Sequence, residues 1–66
     1  MNSIQTQRRI LRLTQVQAAT GLGRTAIYDL ISRGLFPKGK TITGLRAVGW
    51  DSRAVEAWVD QQLADQ

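Results

Sequence analysis

Apolar positions recur at helical spacing in the first half of the chain and form two short helical patterns. The first has apolar residues three apart, on one face of a helix: Leu13, Val16 and Ala19. The second has an i, i+3, i+4 stripe: Ile27, Leu30 and Ile31. Only residues 21–23 (Gly-Leu-Gly) separate the two patterns. Two short helices joined by a tight turn with glycine predict a helix-turn-helix.

Residues with capping preferences bound these two helices. Thr14 and Gln17 have the spacing of a capping box, which predicts an N-cap at Thr14. Gly21 predicts the end of the first helix, because glycine readily adopts the left-handed conformation found there. The second helix is predicted to start after Gly23, with Leu22 filling the turn before it.

The spacing of apolar residues changes after the second helix. Gly34 is predicted to end that helix, and Leu35 is expected to return to the core. Residues 40–43 and 47–50 then alternate as strands do, and residues 43–46 span the tip of a predicted hairpin.

A last helix is predicted after Asp51, which is a favourable N-cap residue. Its apolar face consists of Ala54, Val55, Trp58, Val59 and Leu63. Tryptophan side chains can also stack on the bases of single-stranded nucleic acid. Trp50, however, lies at the end of a predicted strand and Trp58 on the apolar face of the last helix, and both positions favour the core.

The predicted fold is mainly α with a small two-stranded β-hairpin, a winged helix-turn-helix in the order helix, helix, hairpin, helix. Residues 1–9 are expected to be a flexible tail, and residues 10–66 to form the domain. The domain begins with an extended lead-in at residues 10–13, in which Leu11 and Leu13 pack inward.

Charge is distributed unevenly along the 66 residues. Residues 1–50 carry eight arginines and lysines against one aspartate, a balance of +7, whereas residues 51–66 carry one arginine against four acidic residues, a balance of −3. A strongly basic segment beside a helix-turn-helix pattern favours nucleic acid as the partner. The alternative is a solvated basic surface.

The exposed face of the second helix carries the residue types that read DNA. These candidate recognition residues are Arg24, Thr25, Tyr28, Asp29, Ser32 and Arg33. Asp29 is the exception, because a carboxylate is repelled by DNA unless it accepts a hydrogen bond from cytosine. A pair with Arg33 at i, i+4 is the favoured alternative.

Three basic residues of the hairpin region, Lys38, Lys40 and Arg46, are predicted to contact the DNA backbone. The alternative is that these charges only protect an exposed strand edge from pairing with other chains.

Enzymatic chemistry has little support in this composition. The chain contains neither cysteine nor histidine, which removes disulfides, thiolate metal sites and the commonest general base. We therefore expect no catalytic residue, metal or cofactor. No apolar stretch approaches the roughly 20 residues that span a bilayer, and the N-terminus lacks the apolar core of a signal peptide. A cytoplasmic protein with no membrane partner is expected.

Several segments, taken in order, carry a resemblance to a known family. They are residues 13–16 (LTQV), 20–22 (TGL), 24–28 (RTAIY), 30–31 (LI), 34–37 (GLFP), 46–50 (RAVGW) and 55–58 (VEAW). Over residues 10–60 the chain resembles the AlpA family of prophage regulators, within the wider winged-helix group of excisionases and MerR-type activators. The resemblance implies a DNA-binding regulator of transcription, a reader helix with Arg24, Thr25 and Tyr28, and a wing that grips the backbone at Arg46.

The chain departs from the family pattern at two positions of the second helix. Gly23 stands where the family usually has a serine cap, and Asp29 stands where a basic residue is common. The second departure implies a different target sequence.

We expect a sequence-specific protein that binds double-stranded DNA and regulates transcription for a phage or prophage. The alternatives are an excisionase-like architectural factor of recombination and, with less support, a protein-interaction module that uses the acidic last helix. Self-association on DNA and a contact with polymerase or recombinase remain open.

Overall fold

Three helices and three short strands make up the computed structural model, which describes residues 7–64. The helices are α1 (Leu13–Thr20), α2 (Arg24–Ser32) and α3 (Ser52–Leu63). The strands are β1 (Ile10–Leu11), β2 (Lys40–Thr41) and β3 (Val48–Asp51). The expected fold, mainly α with a small hairpin and compatible with a winged helix-turn-helix, is confirmed. Residues 1–6 of the predicted tail lie outside the described residues.

Helix α1 begins one residue before the predicted cap. Its N-cap is Arg12, whose backbone N–H donates to Oε1 of Gln15 at 2.9 Å. The backbone N–H of Gln15 in turn donates to the carbonyl of Arg12 at 2.9 Å. The prediction of Thr14 and Gln17 as the capping pair is therefore wrong, because Thr14 already lies within the first turn.

The turn between α1 and α2 has the predicted glycine geometry. Gly21 has a φ of 77°, and its N–H donates to the carbonyl of Gln17 at 2.8 Å. The Thr20 hydroxyl donates to the carbonyl of Val16 at 2.8 Å and accepts from the N–H of Leu22 at 3.2 Å. Because these bonds fix the turn, α2 leaves α1 in one defined direction.

Each element except β2 contributes to a small hydrophobic core. The buried residues are Leu11, Val16, Ile27, Phe36, Trp50 and Val55. Leu13, Leu22, Leu30, Ile31 and Trp58 pack against them and are half-buried. Both tryptophans therefore belong to the core region, as the sequence predicts.

Three residues that were expected to face the core are exposed: Ala19, Leu35 and Leu63. At the end of α2, Gly34 has a φ of 72° and the N–H of Leu35 donates to the carbonyl of Leu30 at 2.8 Å. This turn directs the side chain of Phe36, rather than that of Leu35, into the core. Leu63 lies in the last turn of α3 and is 73% exposed.

Strand β3 is the centre of an antiparallel sheet with the order β1-β3-β2. Leu11 pairs with Trp50, and Lys40 pairs with Gly49. The sequence predicted a lead-in at β1 but not its pairing with β3, because two residues are too few to show a strand period. The small sheet is thus three-stranded.

The hairpin turn lies one residue earlier than predicted. The N–H of Leu45 donates to the carbonyl of Ile42 at 3.0 Å, and the N–H of Ile42 donates to the carbonyl of Ala47 at 2.8 Å. Gly44, at the third position of this turn, has a φ of 83°, and a positive φ there is what a type II turn requires. The ladder residues of β2 consequently end at Thr41.

A buried serine joins the beginning of the described chain to α3. Ser52 is fully buried, its N–H donates to the carbonyl of Arg9 at 2.9 Å, and its Oγ accepts from the N–H of Arg9 at 2.8 Å. Next to it, Asp51 caps α3 as predicted, with Oδ1 accepting from the N–H of Arg53 at 2.9 Å. Arg8, which the sequence assigned to a tail, forms an ion pair with Asp51 at 2.9 Å.

Candidate nucleic-acid interface

Helix α2 presents its polar face to solvent. Ile27 is buried and packs with the core, so the helix is oriented as its apolar stripe predicts. All six candidate recognition residues are exposed: Arg24, Thr25, Tyr28, Asp29, Ser32 and Arg33. Their contact with DNA remains a prediction.

Tyr28 links the exposed face of α2 to the core beneath it. One edge of its ring meets Trp50 at a centroid distance of 6.4 Å and an interplanar angle of 65°. The guanidinium carbon of Arg24 lies 5.6 Å from the centroid of the same ring, which is within cation–π range. Tyr28 is 42% exposed. The guanidinium at the start of α2 is therefore held against a ring that rests on a buried tryptophan.

The far end of α2 has a local ion pair. Arg33 donates to Oδ2 of Asp29 from Nη2 at 2.9 Å and from Nε at 3.2 Å. This confirms the i, i+4 pairing favoured for Asp29. Because both side chains are more than half exposed, the pair adds little stability. It does orient the guanidinium of Arg33 and balance its charge.

An open groove of about 530 Å³ lies where the starts of α1 and α2 meet the hairpin. Three arginines line it, one from each of these elements: Arg12, Arg24 and Arg46. Tyr28 and Val48 also line it, and none of its lining residues is acidic. We call this feature the arginine groove. It concentrates positive charge between the predicted reader helix and the predicted wing.

Arg12 is the charged residue of this groove that the sequence prediction missed. It entered that prediction only as one of the basic residues of the first half of the chain. The available signal was its place directly before α1, because the helix-turn-helix brings the start of α1 near the start of α2. The groove adds Arg12 to the candidate interface.

Lys38 and Lys40 do not lie with Arg46, although the sequence grouped the three. Side chains alternate between the two faces of a strand, and Lys40 pairs with Gly49 on the face opposite to Val48. Lys38 and Lys40 line a separate trough together with Arg8 and Arg9. The structure therefore separates the predicted backbone contacts into two surfaces.

Among residues 7–64, Asp51 is the titratable group whose pKa clearly departs from its ordinary value. The hydrogen bond from the Arg8 side chain and then the one from the backbone N–H of Arg53 lower its pKa. Asp51 caps α3 and does not line the arginine groove. In the same part of the chain, no three acidic residues are grouped as metal ligands, and no helix has the length and apolar character to span a bilayer.

Comparison with known proteins identifies the family. The family described as prophage CP4-57 regulatory protein (AlpA) matches residues 9–63. The chain is 37% identical, over 60 aligned residues, to the DNA-binding transcriptional activator AlpA of Escherichia coli K12, covering 82% of this chain and 84% of that protein. It is 39% identical over 59 residues to the uncharacterized protein ORF88 of Enterobacteria phage P4, covering 89% of this chain and 66% of that protein. No solved structure matches the chain significantly.

The family match runs from just before β1 to the end of α3 and includes every residue of the arginine groove. The fold and the sequence thus agree over the described domain. The chain belongs to the AlpA family of prophage regulatory proteins.

Proposed function

We propose that this protein regulates phage or prophage transcription by binding double-stranded DNA, with α2 in the major groove and the hairpin on the adjacent backbone. The observation that carries the proposal is the arginine groove, which is lined by three arginines from three separate parts of the chain. The family and the E. coli relative, a DNA-binding transcriptional activator, support it.

The start of α2 is the part that reads bases in this proposal. The N-terminal residues of a recognition helix reach deepest into the major groove, and Arg24 is the first residue of α2. Its position over the ring of Tyr28 limits the orientations of the guanidinium. An oriented guanidinium suits the paired acceptors of guanine, while Thr25 and Tyr28 are placed for phosphate or base edges.

Arg46 and Arg12 lie on the other sides of the same groove. Because they come from the hairpin and from the start of α1, they can hold phosphates on either side of the bases that Arg24 reads. Phosphate contacts fix the position of a protein on the duplex without selecting a sequence. Lys38 and Lys40 lie outside this groove and are not part of the proposed contact.

A role in transcription is distinguished from an architectural role in recombination by where the protein binds. The name of the E. coli relative favours transcription. A footprint over a promoter would support this role, whereas phased sites beside an attachment sequence would support an excisionase-like factor.

The first test is a salt titration of binding to a short duplex. If about five phosphates are neutralised, log K should fall with log salt at a slope of about −4 to −5. Arg46→Ala and Arg12→Ala should each reduce the magnitude of the slope by about 0.9. Arg53→Ala is the matched control, because it removes the same charge from α3, outside the arginine groove. A flat slope for the wild-type protein would contradict DNA binding through this surface.

The second test separates base reading from backbone contact. A preferred sequence is first selected from a pool of random duplexes. Arg24→Ala should then lower affinity for the selected duplex more than for a scrambled one, by about 1–3 kcal/mol. Arg46→Ala should weaken both about equally. Equal ratios for the two variants would overturn this division of roles.

A further inference from the structure

The outer face of the sheet, on the side of Gly49, forms a trough of about 800 Å³. Four basic residues make up its rim, where Asp51 also lies and pairs with Arg8, and apolar residues make up its floor. The basic residues of the rim are Arg8, Arg9, Lys38 and Lys40, and the floor consists of Ile10, Ile42 and Gly49. A Cβ atom on Gly49 would collide with Cγ2 of Ile10, so the Ile10 side chain lies directly across the central strand. Ile10 is 60% exposed. We call this surface the outer sheet face.

The exposed side of α3 carries the opposite charge. Glu56 and Asp60 are four residues apart and therefore share one side of the helix, and Leu63, three residues further on, continues the same stripe. Neither carboxylate forms an ion pair with another residue of 7–64. We call these three residues the acidic stripe. Its residues do not line the outer sheet face of their own chain.

We propose that the outer sheet face binds the acidic stripe of a second copy of this chain. The two surfaces match in both charge and polarity. Glu56 and Asp60 would meet the basic rim, and Leu63 would cover part of the apolar floor at Ile10 and Ile42.

The contact joins two different surfaces, so it is head-to-tail and adds further copies in a row. The inference rests on the proposed function, because a shared duplex brings the copies together.

The composition of the floor favours a protein partner over DNA. Ile10 is exposed and Ile42 is half-buried. Their side chains offer nothing to a phosphate, whereas they gain from contact with another apolar side chain. The outer sheet face also lies across the sheet from Val48, which lines the arginine groove. DNA in that groove therefore leaves the outer sheet face available.

The size of the chain makes this contact weak in free solution. A stable interface buries about 800 Å² per partner, which is about a sixth of the 5082 Å² of this chain. The acidic stripe, which is one side of a single helix, buries less area than that, so the contact is weak without DNA. The longest dimension of the chain, 36 Å, is close to one turn of duplex. Copies on successive turns are therefore adjacent, and tethering to one duplex raises their effective concentration.

The test compares a duplex of about 12 base pairs, which holds one copy, with one of about 40 base pairs, which holds several. For the wild-type protein we expect sigmoidal binding to the longer duplex and a per-site affinity about tenfold higher than on the short one. We call the per-site affinity on the long duplex divided by that on the short one the cooperative ratio. In the variant Glu56→Gln/Asp60→Asn this ratio should fall to about one. Ala57→Lys/Gln61→Lys is the matched control, because it makes the same change in net charge on the flank of α3, and it should keep the ratio.

Charge exchange gives the decisive comparison. Arg9→Glu/Lys40→Glu should abolish the ratio, and so should Glu56→Lys/Asp60→Lys. Combining all four substitutions in one chain leaves the net charge unchanged and should restore the ratio. A ratio that survives the double reversals, or that the fourfold variant does not recover, would overturn the proposal. If Arg9→Glu/Lys40→Glu only weakens both duplexes and lowers the salt slope, the outer sheet face binds DNA instead.

A measurement without DNA separates failure of this contact from failure of the proposed function. In the concentrated free protein, the methyl NMR signals of Ile10 and Ile42 should shift with concentration. They should not shift in Glu56→Gln/Asp60→Asn. If the wild-type protein binds no DNA but shows these shifts, the contact stands and the proposed function fails. Absence of both the shifts and the cooperative ratio would refute the contact.

Discussion

Trp58 is the residue whose replacement best separates a core role from a DNA contact. Its Nε1 donates to the carbonyl of Leu35 at 2.7 Å, and its ring meets Phe36 edge-on, with centroids 4.9 Å apart and an interplanar angle of 69°. It thereby fastens α3 to the segment that follows α2. We expect Trp58→Ala to unfold the domain and Trp58→Phe to weaken it.

The size of each effect follows from these contacts. A hydrogen bond contributes about 1 kcal/mol net, and an aromatic pair adds about 0.5–1.5 kcal/mol beyond its buried area. Truncating a buried tryptophan costs about 3–5 kcal/mol, and a half-buried one falls at the lower end, about 3 kcal/mol. A domain of this length has a free energy of unfolding of about 3–10 kcal/mol. Trp58→Ala therefore removes a large fraction of this free energy, and all of it if the domain lies at the lower end of that range, as a domain with so small a core is expected to.

Thermal unfolding followed by circular dichroism measures these changes. One kcal/mol shifts the Tm of such a small domain by about 4–8 °C. Trp58→Phe keeps a ring but loses the bond to Leu35, so its Tm should fall by about 4–8 °C while DNA binding persists at low temperature. Trp58→Ala should lose cooperative unfolding and DNA binding together. A well-folded Trp58→Ala protein that selectively fails to bind DNA would show that Trp58 is a contact residue.

Two further predictions concern the junction between β3 and α3. Ser52→Ala should lower the free energy of unfolding in urea by about 1–3 kcal/mol, since it leaves the N–H of Arg9 without its acceptor; a change below about 0.5 kcal/mol would contradict this. The pKa of Asp51 lies below its ordinary value of 3.8, because the Arg8 side chain and the Arg53 N–H stabilise the carboxylate. Its contribution to stability is therefore complete above that value and is lost as the pH falls through the lowered pKa. Asp51→Asn keeps a capping oxygen but cannot titrate, so the fall in Tm at low pH should be smaller in this variant than in the wild-type protein. An equal fall in both proteins would show that Asp51 does not cause the loss of stability in acid.

Local features of the fold could be predicted from the sequence. The i, i+3, i+4 stripe of Ile27, Leu30 and Ile31 set the orientation of α2, and the i, i+4 spacing predicted the pair of Asp29 and Arg33. Gly21 and Asp51 were recognised because a left-handed end and an N-cap are each properties of one residue. In each case the residues that interact lie within one or two helical turns of each other along the sequence.

Features that depend on contacts distant in sequence could not be predicted in the same way. The pairing of Leu11 with Trp50 joins residues 39 positions apart and leaves no local pattern. Arg12 becomes part of the candidate interface only when the start of α1 meets Arg46 of the hairpin. The sequence pattern allowed either Leu35 or Phe36 to enter the core. The turn at Gly34 decides between them and buries Phe36.

The register of β3 decides which charges act together in this protein. In the central strand, Val48 and Trp50 lie toward the arginine groove and the core, and Gly49 lies under Ile10 on the outer sheet face. A shift of one residue would exchange the two faces. It would bring a bulky side chain under Ile10 and remove Trp50 from beneath Tyr28. The ladder that buries Trp50 therefore also supports the guanidinium of Arg24 on one side of the sheet and keeps Lys40 on the other. The proposed DNA contact and the proposed contact between copies thus depend on the same strand, and each leaves the surface of the other uncovered.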